Sequence, residues 1–419
     1  MTEGSCEFDI AVVGGGPAGL AAACVAAESG RRVALLDESP WLGGQIWRGQ
    51  DRQPSTSLAR DWLDRFRRSG ARLFDRSTVI ASPSPRLLMA ERDGAPFQMG
   101  WEKLILATGA RELFLPFPGW TLPGILGPGG LQALIKHGWP VRGQRVVVAG
   151  SGPLLLVVAQ TLRSHGAQVI TIAEQVPWGR VLNFGLALRA HPAKLIQALA
   201  LKLRLFGIPY RCGAWPIRAE GKDRVQSVTL TDGRKPWTLS CDLLACGFGL
   251  VPNTELALAL RCELREGFVR VDDFQSTSVP NVFCAGEPTG IGGADCALVE
   301  GQIAGYAAAE CKAQAQALFR QRASWHRFRV ALADTFALRQ ELRALATDET
   351  IVCRCEDVAL GRLRQFTGWR EAKLHTRCGM GACQGRVCGA AAKVILGWEM
   401  ESVRPPILPA RVGSLISPR

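Results

Sequence analysis

The segment FDIAVVGGGPAGLAAACVAAESGRRVALLDE, residues 8–38, decides the fold. Phe8 to Val13 is short, mostly apolar and β-branched at its end, the pattern of a buried strand. It runs straight into Gly14-Gly15-Gly16-Pro17-Ala18-Gly19 and then an alanine-rich helical run from Leu20 to Glu28. Gly14 permits a tight turn, Gly16 lets backbone approach a pyrophosphate, and Gly19 lets the helix pack closely on the strand. Pro17 and Ala18 lie between them, where the helix N-terminus offers N–H groups and a positive dipole end to phosphates. Arg32 to Leu36 reads as a second strand ending in Asp37-Glu38. Asp37 follows Gly19 by 18 residues, a position from which a carboxylate can accept both ribose hydroxyls. Glycines alone are weak evidence, and the alternative is a tight turn without a ligand. Strand, glycines, helix, strand and acid in that order predict a dinucleotide site.

The pattern recurs. Arg145 to Ala149 is a strand, followed by Gly150-Ser151-Gly152-Pro153-Leu154-Leu155, a helical run to Gly166, a strand from Gln168 to Ala173, and Glu174. The third glycine position is Leu155, a bulky residue where helix and strand normally meet closely. Three readings stay open for this half: an NAD site, a site for another adenine nucleotide, or a fold kept for its core. Glu174 favours an unphosphorylated ribose over NADP. The expected fold class is α/β, with two Rossmann-like domains, one inserted in the other.

The C-terminal region carries different chemistry. Cys353-Arg354-Cys355-Glu356 follows a strand-like step, Thr350-Ile351-Val352, and Cys383 and Cys388 flank Gln384-Gly385-Arg386-Val387, a turn opening a helix through Ile395. Four thiolates on glycine-loosened loops suit a [2Fe–2S] cluster, whose sulfides take backbone N–H donors. Arg354, Arg377 and Arg386 would offset its negative charge. A closed structural zinc site is the alternative, although CxC is an unusual zinc opening. Cys378 is a fifth candidate. The other cysteines (Cys6, Cys24, Cys212, Cys241, Cys246, Cys262, Cys284, Cys296 and Cys311) form no CxxC pair, which argues against a redox disulfide and for small buried side chains. His137 and His165, lone in helical contexts, read as structural. No residue offers an obvious substrate-deprotonating base, so the catalytic residues stay unassigned.

A chain of 419 residues, 47% hydrophobic and 21% charged, has room for two or three domains with their own cores. No apolar run approaches the roughly 20 residues needed to span a bilayer. The small, acidic start lacks a secretion pattern, so the expectation is a cytoplasmic protein, compatible with peripheral attachment at the inner membrane. Fourteen cysteines in that compartment mean free thiols or metal ligands. The net charge of +13 is spread through the chain without an aromatic-basic module, which excludes nucleic acid as the expected partner. The arginines suit a soluble surface or a face for acidic partner subunits.

Further segments resemble those of flavoproteins. Gly43-Gly44-Gln45 is similar to the glycine pair that crosses near a flavin, with Gly44 and Gln45 as contacts. Ala107-Thr108-Gly109-Ala110 resembles the strand end that closes such a domain. Val282-Phe283-Cys284-Ala285-Gly286-Glu287 resembles the strand whose terminal acid binds the ribityl chain. That acid is usually Asp, and Glu287 is one methylene longer. Together with Pro116-Phe117-Pro118-Gly119-Trp120-Thr121-Leu122-Pro123-Gly124, Gly286 to Gly293, Glu300-Gly301-Gln302-Ile303-Ala304-Gly305 and the cysteine blocks, nearly the whole chain resembles one family. These are the larger subunits of flavin-dependent amine and imino-acid dehydrogenases: opine oxidases, D-hydroxyproline dehydrogenase and hydrogen cyanide synthase. Sarcosine oxidase and archaeal proline dehydrogenase complexes are more distant likenesses. The C-terminal module resembles the bacterioferritin-associated ferredoxin type, in which the position of Cys378 is commonly not cysteine. That supports Cys353, Cys355, Cys383 and Cys388 as the ligands.

The resemblance implies that substrate is oxidised on a partner subunit carrying its own FAD, with a small third subunit in some complexes. This chain would pass electrons through FAD and [2Fe–2S] to a quinone or other acceptor. Some relatives hold FMN at a subunit interface, and some hold ATP or NAD in the second fold. The expected layout is a discontinuous FAD domain over 1–110 and 245–320 and a second nucleotide domain over 111–244. A helical linker over 321–347, helical from Ser324, and a small α-rich [2Fe–2S] module over 348–419 follow.

Overall fold

The computed structural model describes residues 8–48, 57–400 and 403–416; Cys6 lies outside them. Contacts divide the chain into two compact units, residues 1–111, 252–329 and 401–419, and residues 112–251 and 330–400.

In the first unit a parallel sheet runs Arg72–Phe74, Val33–Leu36, Phe8–Val13, the end of the long strand Ala95–Leu106, then Val282–Cys284. The start of the long strand turns antiparallel onto Leu87–Arg92, which pairs with Ser77–Ser84. Ile10, Val12, Leu35, Leu104 and Ile105 are buried because both faces of the sheet are covered. The helices Pro17–Glu28 and Gly293–Ala308 lie against each other and are alanine- and glycine-rich at their contact. The sequence reading placed the first strand at its observed bounds and the first helix three residues late, since Pro17 opens it.

The second unit holds a five-stranded parallel sheet in the order Tyr210–Cys212, Gln168–Glu174, Arg145–Gly150, Leu243–Gly247, Ile125–Leu126. An antiparallel three-stranded sheet, Trp215–Glu220, Ser227–Thr231 and Pro236–Ser240, accompanies it. Leu155, at the broken glycine position, is buried among Val146, Val148, Leu162 and Ile172 and fills the core there. The cysteine-bearing segment groups with this unit as far as Met400 instead of standing as a module over 348–419. The reason is packing: Leu342, Leu345, Val387, Ala390 and Val394 join the core built around Trp120 and Trp215. Trp120 Nε1 donates to the Ile351 carbonyl at 2.6 Å, tying the Pro-Gly-Trp block to the strand that carries Cys353.

The expected linker is also different. A helix spans Phe319–Thr335, starting before Ser324, and a short 3-10 turn covers Gln340–Ala344. Its residues through Arg329 group with the first unit and the remainder with the second. Among the described residues, no helix is long and apolar enough to cross a membrane.

Candidate functional site

The first glycine turn is built so that backbone, not side chains, lines it. Gly16 precedes the helix Pro17–Glu28, and no side chain caps that N-terminus. A Cβ on Gly19 would sit 1.8 Å from the Gly14 carbonyl oxygen, so only glycine lets the helix start so close to the turn. Gly43 N–H donates to Gly15 O at 2.8 Å, which brings Gly44 over Gly16 while Gln45 stays exposed. Asp37 accepts N–H groups from Gly15 and, at 2.7 Å, Ser39, and burial raises its carboxyl above the usual range. A carboxylate has about four lone pairs, so capacity for ribose hydroxyls remains. Glu38 is exposed beside it. Beyond Ala107, Thr108 Oγ1 donates to Asn253 O at 2.5 Å and Asn253 N–H to Gly109 O at 2.9 Å, fixing that strand end.

At the same carboxyl edge of this sheet, close against Ala18, Gly286 precedes Glu287. One Glu287 oxygen accepts the Gly293 N–H at 2.9 Å, while the other is buried without a partner. Burial pushes this carboxyl up to about 7. An orphaned buried oxygen wants a donor, and a polyol hydroxyl supplies one. The glycine turn, the uncapped helix end, Asp37 and this oxygen therefore fit a flavin dinucleotide.

Sequence reasoning missed the group that holds this loop. Glu300 is 1% exposed, and its one oxygen accepts from Gly286 N–H and Thr289 Oγ1, each at 2.9 Å. The other meets His326 Nε2 at 2.8 Å, Arg329 Nη1 at 3.4 Å and Cys296 Sγ at 3.6 Å. Cys296, Glu300 and His326 are close enough to share a metal ion. Arg329 already supplies the cation at that oxygen, so the group reads as a hydrogen-bonded clasp. Glu300 was legible as part of a family-like block, but nothing local joined it to residues 326 and 329. His137 and His165 sit at helix ends, each with Nδ1 on a preceding carbonyl, at 2.7 and 2.8 Å, which fits a structural role.

The second fold differs at its mouth. Glu174 accepts from Gly152 N–H at 2.7 Å and Val176 N–H at 3.0 Å, the same two-donor pattern that Asp37 makes with Gly15 and Ser39, but it is fully buried. Beside Gly150, Ser151 Oγ donates to Phe336 O at 3.2 Å. The buried Gln175 donates to Ser151 Oγ at 3.0 Å and Ala337 O at 3.1 Å and accepts from Arg339 N–H at 3.3 Å. The chain's own residues 336–339 thus lie against the turn that follows Gly150. Burial pushes Glu174 up to about 7, above an ordinary 4.5. The stability it contributes is fully present below about 4.5 and lost as pH rises through 7, because only the unfolded carboxyl ionises in that window. Relative to Glu174→Gln, the native protein is expected to lose about 1.4 kcal/mol per pH unit across it, roughly 3 kcal/mol in all. Urea midpoints of both proteins across that range check this, and parallel curves would refute it.

The cysteine group lies wholly in the second unit. Cys353 ends the strand Ile351–Cys353, Cys378 follows the helix Trp369–Thr376, and Cys388 opens the helix Cys388–Leu396. Their three sulfurs lie within 4.8 Å of one another, all buried. Cys383 contacts Cys388, and Cys355, exposed, contacts Cys383. So Cys378, which the resemblance set aside, sits in the tightest group, while Cys355 lies at the edge. Hydrogen bonds from the Cys378 and Cys388 thiols hold the Cys353 sulfur far below the usual thiol range, and both donors are raised in return. Gly379 and Glu356 N–H groups also point at Cys353, and Val387 and Gly385 N–H groups at Cys383. Thiolates this close repel one another unless a cation joins them, and sulfurs met by backbone donors suit an iron–sulfur cluster. Arg354 lies over the Trp120 ring at 5.7 Å, and Arg377 pairs with Glu356 at 2.8 Å.

With this geometry in hand, known proteins add a frame. Residues 8–313 match the pyridine nucleotide-disulphide oxidoreductase family. The chain is 33% identical to hydrogen cyanide synthase subunit HcnB of Pseudomonas protegens, over 90% of this chain and 89% of that one. It is 31% identical to one of the opine oxidase subunits of Agrobacterium tumefaciens, over 99% and 92%. Among solved structures, L-proline dehydrogenase from P. horikoshii superposes with a TM-score of 0.67 at 20% identity, covering 97% of this chain and 79% of that one, a likeness of fold alone.

Proposed function

The chain belongs to the pyridine nucleotide-disulphide oxidoreductase family, and from that premise we propose that it is the electron-relaying subunit of a multi-subunit dehydrogenase acting on an amine or imino acid, such as D-hydroxyproline or an opine. The observation that carries this reading is a flavin-type glycine turn and a group of five neighbouring cysteines on one chain. Its relatives' names support assembly with other chains: one is part of hydrogen cyanide synthase and another is part of opine oxidase, each named as a subunit.

Gly14, Gly16, Pro17, Ala18 and Gly19 would hold the FAD pyrophosphate, Asp37 and Glu38 its ribose, and Gly44, Gln45, Ala107, Thr108, Gly109, Gly286 and Glu287 the remainder. Cys353, Cys355, Cys383 and Cys388 would ligate [2Fe–2S]. When bound, these groups supply a two-electron and a one-electron carrier. The chain's own residues position and enclose: Glu300 clasps the loop at Gly286, and the Trp120 anchor sets the cysteine strand. Gly150, Gly152 and Glu174 are read as core of the second fold instead of an NAD or ATP site, because residues 336–339 lie against that turn. Substrate oxidation belongs to a flavin-containing partner with FMN at the shared interface, and a small third subunit completes the assembly. A quinone or similar acceptor takes the electrons at the cytoplasmic side.

Purification after co-expression with the co-encoded subunits tests this. The expected result is flavin plus a rhombic reduced [2Fe–2S] signal that develops on adding an imino acid or opine to the complex but not to the isolated chain. Rapid bleaching of the isolated chain's flavin by NADH would replace the relay with a stand-alone reductase.

A further inference from the structure

Two successive helices of the second unit turn apolar stripes outward. In Trp178–Ala187, Trp178, Leu182 and Leu186 are 43%, 52% and 54% exposed. In Pro192–Arg204 and its end, Ile196, Leu199, Leu203 and Phe206 are 67%, 54%, 75% and 84% exposed. Spacings of three and four residues put each set on one helix face. The helix Pro192–Arg204 has no buried residue at all, and a helix of that length is marginal in water without packing. Monomeric proteins rarely expose so continuous an apolar patch. Between residues 177 and 209 there are five cations (Arg180, Arg189, Lys194, Lys202 and Arg204) and no Asp or Glu. Lys202 lies over the Trp178 ring at 4.9 Å, joining the two helices into one surface.

We propose that the helices Trp178–Ala187 and Pro192–Arg204 are the docking face for a companion subunit that presents an apolar patch rimmed by carboxylates. This rests on the multi-subunit reading above. An apolar centre depleted of charge is the composition of a permanent subunit interface, and a one-signed cationic rim selects an acidic partner and orients it. An anionic bilayer shares part of that chemistry. Kinship with named enzyme subunits favours a protein.

The test is assembly of the full chain with its co-encoded flavin dehydrogenase subunit, followed by light scattering at low and high salt. Leu199→Glu/Leu203→Glu is expected to weaken association about a hundredfold or more. Lys194→Glu/Arg204→Glu is expected to weaken it chiefly at low salt. In both variants flavin absorbance and the reduced cluster signal per chain should stay native, which separates loss of docking from loss of fold or of the relay cofactors. Hydrogen exchange in the native complex should protect Ile196 to Phe206. Full-strength assembly by both variants overturns the proposal while leaving the relay intact. So does normal assembly accompanied by loss of binding to phosphatidylglycerol vesicles, which would assign the face to a membrane. A native chain that assembles with no co-encoded subunit sinks both readings.

Discussion

Replacing Cys388 with alanine is expected to strip the cysteine group of metal. Its sulfur lies within 4.8 Å of both Cys353 and Cys378 and also contacts Cys383, so it bridges the buried sulfurs and the outer pair. Both the set Cys353, Cys355, Cys383 and Cys388 and the set in which Cys378 replaces Cys355 use it. Iron and acid-labile sulfide should fall below detection in Cys388→Ala, and the reduced EPR signal should vanish. Flavin absorbance should persist, because the glycine turn and Glu287 belong to the other unit. Cys378→Ala is the sharper companion. If Cys353, Cys355, Cys383 and Cys388 are the ligands, the Cys378 thiol is a hydrogen-bond donor to ligand sulfur. Its removal then leaves iron content unchanged and shifts the reduction potential, since such bonds stabilise the reduced, more negative cluster. If iron is lost with Cys378 and kept in Cys355→Ala, the exposed cysteine has been displaced from the set by the buried one. Stoichiometric zinc without sulfide in the native protein would end the iron–sulfur assignment altogether.

How much of this was legible follows from how local each signal is. The strand from Phe8 to Val13, the glycine turn and the strand ending in Asp37 come from adjacent residues with one physical reason each, and the structure places them within a residue or a few of the reading. The cysteines were equally plain as a group. Their internal order was not, because the position of Cys378 relative to Cys353 depends on a left-handed residue, Arg377, that ends the helix Trp369–Thr376 and swings the chain back. The attachment of this segment to the second nucleotide fold was hidden too, since Trp120 and Ile351 meet across a long separation in sequence. Glu174 illustrates a subtler limit. An acid at the end of a second strand predicts a ribose contact, and Glu174 makes the same two backbone bonds as Asp37, yet it is fully buried beside a turn on which residues 336–339 pack. Sequence spacing fixes where such a side chain starts and leaves open what a distant segment packs beside it.

The second large effect is expected at Gly301, in the middle of the helix Gly293–Ala308. A glycine inside a helix ordinarily costs up to about 1 kcal/mol relative to alanine, so replacing it should help. At Gly301 the packing term has the opposite sign. A Cβ there would lie 2.1 Å from the Ala18 carbonyl oxygen and 2.9 Å from the Ala18 Cα, both rigid backbone of the helix Pro17–Glu28. Neither atom can rotate away, so the two helices must separate. Gly301→Val is therefore expected to lower stability by upwards of about 3 kcal/mol. It should also release flavin, because Glu300, its neighbour in sequence, clasps Gly286 and Thr289, and Ala18 lies in the first turn of the helix beside the glycine turn. Gly185→Ala makes the matched comparison: it too is a helical glycine, but no atom lies within 4 Å of the added methyl. That variant should gain a few tenths to about 1 kcal/mol. Denaturation midpoints and flavin-to-protein ratios of the pair decide the matter. A Gly301→Val protein of native stability with full flavin would mean that the two helices do not need their close approach, and the clasp at Glu300 would lose its reason for being placed there.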